Sequence, residues 1–137
     1  MIRVVLDSNV YISALLFGGV PRQLIALVEN GFVQLYTSKQ IQKEVERVLE
    51  VKFHWPTGRV LNAANYLWTL ADSIEPQTIL HDCVDPDDNH VLACAVESRA
   101  DWILTGDQHL LALHPYGKIQ IVTPRQFLDS RVWKINR

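Results

Sequence analysis

The run Ile2-Arg3-Val4-Val5-Leu6 constrains this chain more than any other stretch: it is rich in β-branched residues, almost uniformly apolar, and followed at once by Asp7. A strand without a polar side is covered on both faces, so the run predicts a central strand of a parallel sheet. A second run, Trp102-Ile103-Leu104-Thr105-Gly106, is followed in the same way by Asp107. Parallel neighbours would place both aspartates at carboxyl ends of strands, where open α/β sheets bind their ligands.

Helical patterns fill the space between. Ser8 or Asn9 is placed to cap a helix carrying Val10, Ile12, Leu15 and Leu16 that stops at Gly18-Gly19, and Pro21 opens a second helix closed by Gly31. Phe32 to Tyr36 reads as a short strand, with Thr37 or Ser38 as the next cap. A third helix carries Ile41, Val45, Val48, Leu49 and Phe53 at helical spacing, with Glu44 on the border of that apolar stripe. Trp55-Pro56 breaks it, and a fourth runs from about Thr57 to Ala71, which predicts an antiparallel helical hairpin. Residues 72–85 read as a loop, with a short extended piece at Thr78 to Leu80. Asp85 and Pro86 then start a helix through Val91, Leu92, Ala95 and Val96. After the strand at 102–105 come a short helix from Asp107 to about Leu113, a strand from Ile119 to Val122 and a last helix from Pro124 to about Ser130. Strands alternating with helices predict a three-layer α/β/α sandwich around a mostly parallel sheet of four to five strands, with the helical hairpin protruding from it.

Composition narrows the setting. A chain of 137 residues, 48% hydrophobic, is the size of one ordinary domain, expected over residues 1–130 with a basic tail at 131–137. A formal charge of −2 argues against a large basic nucleic-acid footprint but leaves room for local basic patches. Two cysteines, no signal-like start and no apolar stretch long enough to span a bilayer predict a cytoplasmic protein without a membrane role.

Four acids stand out: Asp7, Glu44, Asp88 and Asp107. Each has an ordinary explanation on its own, since Asp7 and Asp107 are placed to cap helices, Asp88 suits a helix dipole and Glu44 can pair with Lys43 or Arg47. Together, two at strand ends, one in a first helical turn and one on the inward border of a helix, they converge on one crevice. Within the acidic run Asp88 is preferred, because Asp85 is occupied by capping and Asp87 projects about a hundred degrees away around the helix. Gathered carboxylates repel one another and recruit a cation, and oxygen donors suit Mg²⁺ or Mn²⁺. Several carboxylates without an evident nucleophile point to metal-assisted attack of water on a phosphodiester. Ser8, Asn9 and Thr105 are neutral polar groups near the same strand ends, suited to orienting the acids or positioning a phosphate.

These segments carry a resemblance. Val4-Val5-Leu6-Asp7-Ser8-Asn9-Val10-Tyr11-Ile12-Ser13-Ala14-Leu15-Leu16, Glu44, Asp85-Pro86-Asp87-Asp88-Asn89-His90-Val91-Leu92-Ala93-Cys94-Ala95 and Ile103-Leu104-Thr105-Gly106-Asp107 with Leu110-Leu111 resemble, in order and spacing, a PIN-domain protein, and within that family the small VapC-type toxins. The resemblance implies that Asp7, Glu44, Asp88 and Asp107 are the metal-binding and catalytic acids of a Mg²⁺-dependent (or Mn²⁺-dependent) ribonuclease acting on RNA. It also implies a cytoplasmic protein, often a homodimer, and in the toxin subset a small cognate antitoxin. Ser8 stands where many relatives have Thr, which keeps the hydroxyl. Two other functions compete: a non-catalytic RNA-binding or regulatory module, and an aspartyl-phosphate phosphatase with Asp7 as nucleophile. The latter usually wants a second acid two residues on, where this chain has Asn9.

Other features are less specific. His90 and Cys94 share a helical face and His81 precedes Cys83, but the tight paired spacings of zinc sites are missing. Arg22, Lys39, Lys43, Arg47, Lys52 and Arg59 either flank the cleft or form a solvated face. Trp55, Tyr66, Leu67 and Trp68 make the hairpin aromatic, which suits core packing or an interface. The tail with Trp133 either stacks on a base or packs back on the domain.

Overall fold

A computed structural model of the protein describes residues 1–135. In chain order the elements are β1 (Ile2–Leu6), α1 (Ser8–Leu16), α2 (Gly19–Glu29), β2 (Val33–Thr37), α3 (Lys39–Val51), α4 (Thr57–Thr69), β3 (Ala71–Ser73), α5 (Pro86–Ser98), β4 (Trp102–Leu104), α6 (Gln108–Leu111), β5 (Gln120–Val122), α7 (Pro124–Ser130) and α8 (Val132–Ile135). The strands form one sheet in the order β3-β2-β1-β4-β5, and every pairing is parallel. This is the expected α/β/α architecture with the apolar run 2–6 at its centre.

Topology places the site. The chain leaves β1 for β2 and β3 on one side, then crosses back to β4 and β5 on the other. The gap between β1 and β4 is therefore the switch point of the sheet, where the connections depart in opposite directions and a crevice opens beyond the carboxyl ends. Leu6 is in register with Leu104, and the ladder runs one step further through the Asp7 amide, which donates to the Leu104 carbonyl at 3.1 Å. Asp7 and Thr105 thus emerge side by side.

Helix α5 packs on β1, β2 and β4 and also against α3, while α2 packs on β2 and α7. Val5, Leu6, Ile103, Leu104, Leu92 and Cys94 are almost completely buried in the resulting core. Tyr11 is fully buried and meets the edge of Trp68 from α4, with ring centroids 5.2 Å apart, and the Trp68 indole donates to Glu46 at 2.9 Å. The hairpin aromatics are thus partly core. Trp55 is half-buried beneath the Arg59 guanidinium, 3.8 Å from its ring centre.

Several boundaries differ from the sequence reading. Of the caps the sequence offered for α1, Asp7 serves and Ser8 and Asn9 do not, because the Asp7 carboxylate accepts from the Asn9 amide while Ser8 already has helical geometry. Ser38 caps α3 by accepting from the Ile41 amide at 3.4 Å. Phe53 lies beyond the end of α3 and is exposed, so it is no part of the buried stripe. The extended piece expected at Thr78 to Leu80 is loop. The edge strand is instead Ala71-Asp72-Ser73, which carries no β-branched or apolar signal and is held by its neighbour β2. The tail folds back as α8, and Trp133 meets Phe32 edge-on at 5.3 Å; Asn136 and Arg137 of that tail lie outside the described residues.

Candidate active site

Three aspartates stand around the switch point, within reach of one another's charge. Asp7, only 4% exposed, has both carboxylate oxygens engaged: Oδ1 accepts from the Ser8 hydroxyl and the Asn9 amide, each at 3.3 Å, and Oδ2 accepts from the Thr105 hydroxyl at 2.7 Å. Thr105, fully buried, accepts in turn from the Asp107 amide at 2.9 Å. One hydroxyl therefore ties the end of β1 to the turn after β4. Asp107 caps α6, its Oδ1 accepting from the His109 and Leu110 amides at 2.7 and 3.3 Å. The capping explanation and the crevice explanation apply to the same carboxylates.

Asp88 completes the group from the first turn of α5 and is 5% exposed. Its Oδ2 is buried with no hydrogen-bond partner among the described residues. A buried carboxylate oxygen left without a donor costs a large desolvation penalty if charged. The carboxyl is accordingly pushed up to about 7, by burial first and then by the charges of Asp107, Asp7, Asp85 and Asp87. Burial also raises Asp7 above the ordinary value; Thr105 and Asn9 oppose the rise and the charge of Asp107 adds to it. These mutual effects put Asp7, Asp88 and Asp107 within electrostatic reach of one another.

Glu44 sits apart from them. Its carboxylate pairs with Arg47 one turn on at 2.8 Å, and the charge it perturbs is that of Asp87. Asp87, half-buried, is raised by its own burial first and then by Glu44 and Asp85. The sequence reading discounted Asp87 by its angle around the helix. In the folded chain that same angle turns it toward α3, so it links Glu44 to the aspartate trio. Only the packing of α3 on α5 reveals this.

Ser8 and Thr105 touch Asp7 directly. Asn9 does so only through its backbone amide, and its side chain is exposed. His90 is exposed whereas Cys94 is fully buried, so the two do not face a common point. Arg22 pairs with Glu29 at 3.8 Å, and Lys39 and Lys43 line a groove beside Ser73, Ile74 and Glu75.

The donor set is all oxygen and mostly anionic, which suits a hard divalent cation. Among the described residues, no three His, Cys, Asp or Glu side chains stand near enough to enclose one ion outright. Mg²⁺ needs no such cage, because it keeps several waters and is commonly held by one or two carboxylates.

The PIN-domain family model matches residues 3–109, which include every acid described above. An uncharacterized protein of Methanocaldococcus jannaschii, MJ1680, is 33% identical over 142 aligned positions, covering 94% of this chain and 91% of its own. Sheet order, acidic crevice and family match agree, and the chain belongs to the PIN-domain family, whose members are generally nucleases.

Proposed function

We propose that the chain is a Mg²⁺- or Mn²⁺-dependent endoribonuclease, and that it serves as the toxin of a toxin–antitoxin pair. The observation that carries the first part is the unpartnered, buried Oδ2 of Asp88, held beside Asp7 and Asp107 at the switch point of the sheet. Such an oxygen in a folded chain calls for an explanation, and a cation bound among neighbouring carboxylates supplies one. One or two of Asp7, Asp88 and Asp107 would hold the ion directly and the remainder through its waters, with Glu44 and Asp87 at the rim. Bound there, the ion would supply an acidified water and offset negative charge on the phosphodiester under attack.

The chain's own groups prepare the site. Thr105, Ser8 and the Asn9 amide fix the Asp7 carboxylate in one orientation, and the Thr105 hydroxyl sets its distance from Asp107. The same hydrogen bonds disfavour an aspartyl-phosphate mechanism, because a nucleophilic carboxylate with both oxygens accepting donors is blunted. The toxin assignment rests on the resemblance of the Asp7 and Asp88 segments to VapC-type proteins.

Purified protein should cut single-stranded RNA in Mg²⁺ or Mn²⁺ and not in chelator. Asp7→Asn and Asp88→Asn should each lower cleavage about a hundredfold or more, with circular dichroism unchanged, since Asn caps a helix as well as Asp does at position 7 and a neutral amide relieves a buried acid at position 88. Cleavage persisting in both variants would refute the mechanism, and unchanged growth of cells overproducing the wild-type chain would refute the toxin role.

A further inference from the structure

Beside the aspartates lies a cavity of about 450 Å³, between the first turn of α3, the loop 74–85 and the start of α5. Its size falls within the roughly 300–1,000 Å³ of small-ligand sites. The walls are largely apolar, from Ile79, Leu80 and Pro86, and the polar groups on them include the Gln40 and Asn89 amides, the Thr78 hydroxyl and the imidazoles of His81 and His90. Ile79 is 80% exposed at this wall, and its neighbour in the lining Val84 is 90% exposed, so the rim of the cavity is apolar as well as its walls.

The wall is held in place. Asn89 grips Cys83 at both backbone groups, its Oδ1 accepting from the Cys83 amide and its Nδ2 donating to the Cys83 carbonyl, each at 2.8 Å. The Cys83 thiol reaches the His109 carbonyl at 3.7 Å, and His109 is the residue whose amide caps Asp107. Asn89 itself follows Asp88. The Cys83 wall of the cavity thus adjoins the acid cluster, and the charges of Asp88 and Asp107 both act on its thiol.

Its other end is continuous with a cationic groove. Gln40 is shared with a second cavity, of about 310 Å³, lined by Lys39, Lys43, Ser73, Ile74 and Glu75. Neither lysine has an ion-pair partner among the described residues, and Glu75 is the one carboxylate on that lining. Two ammonium groups, an apolar slot with a few polar groups, and an acid cluster therefore follow one another across the molecule. Single-stranded nucleic acid presents the matching order: a backbone phosphate, an unstacked base, and the next phosphate.

We propose that the cavity between Gln40, Ile79, His81 and His90 binds one unpaired nucleobase of the RNA, adjacent to the bond that is cut, and so sets cleavage preference. This rests on the RNA-cleaving reading for its biological role, but the binding itself needs no turnover. An apolar protein segment is the competing occupant, and the lysines leading to the slot favour the nucleotide.

The test is a metal-free NMR titration of the whole protein with each of the four nucleoside 5′-monophosphates, following the imidazole signals of His81 and His90. Saturable shifts at both, with one base preferred, are expected. Ile79→Asp, on an exposed side chain, should weaken that binding about tenfold, because it removes an apolar wall from the base and sets a negative charge near the phosphate. In randomised single-stranded RNA with Mn²⁺, the same variant should cut more slowly and lose the base preference next to the cut. No shift with any nucleotide, or shifts produced only by an apolar acidic peptide titrated in parallel, overturns the proposal. So does a preference unchanged in Ile79→Asp. Nucleotide shifts without any RNA cleavage sustain the base site and overturn the nuclease reading instead.

Discussion

Thr105 carries more of the candidate site than its single hydroxyl suggests. It donates to Asp7 and accepts from the Asp107 amide, so removing the oxygen leaves two buried groups without a partner. Thr105→Val keeps the volume and should lower cleavage by about 10- to 100-fold, as for groups that orient metal-binding side chains. Thr105→Ser should restore most of the activity, and rates for the three proteins at matched Mn²⁺ check this. Asp88 makes a second prediction, on stability. With its folded value near 7 against an ordinary 3.8, the folded chain holds a proton between those pH values that the unfolded chain has released. The resulting stabilisation is complete below about pH 4 and is lost as pH rises through 7, by a few kcal/mol at most. Burial moves Asp7 in the same direction. Urea unfolding in chelator should show stability falling from pH 4.5 to 7.5, and Asp88→Asn should flatten that slope.

At the scale of elements, most of the chain follows its local chemistry. The apolar runs 2–6 and 102–104, the Pro86 start of α5 and the glycines between α1 and α2 each announce their structure. The strand β3 does not, because Ala71, Asp72 and Ser73 have no strand preference of their own and are extended only by pairing with β2. Loop 74–85 is ordered by a contact that sequence patterns do not reveal, the Asn89 clamp on Cys83. Asn89→Ala should cost about 1–3 kcal/mol, because it leaves the partly buried Cys83 backbone groups unpaired. Hydrogen exchange should quicken in residues 76–85 while β1 and β4 stay protected. Uniform acceleration across the sheet would show that the clamp supports the whole fold rather than the loop.

For the whole molecule, the acidic crevice is a local liability that a cation would relieve. Divalent metal at a hundred times its dissociation constant should add about 2.7 kcal/mol of stability, seen as a melting temperature several degrees higher. Asp7→Asn combined with Asp88→Asn should abolish that rise; an equal rise in the double variant would place the binding elsewhere. The sequence by itself determined the fold class, the burial of β1 and β4, and the positions of Asp7 and Asp107 just past strand ends, because strand propensity, capping and apolar patterning act over a few residues. Tertiary structure alone decided which acids meet. The switch between β1 and β4 joins Asp7 to Asp107 through Thr105, and the start of α5 adds Asp88. The packing of α3 on α5 turns Glu44 toward Asp87, because the distance between side chains far apart in sequence is set by strand register and helix docking.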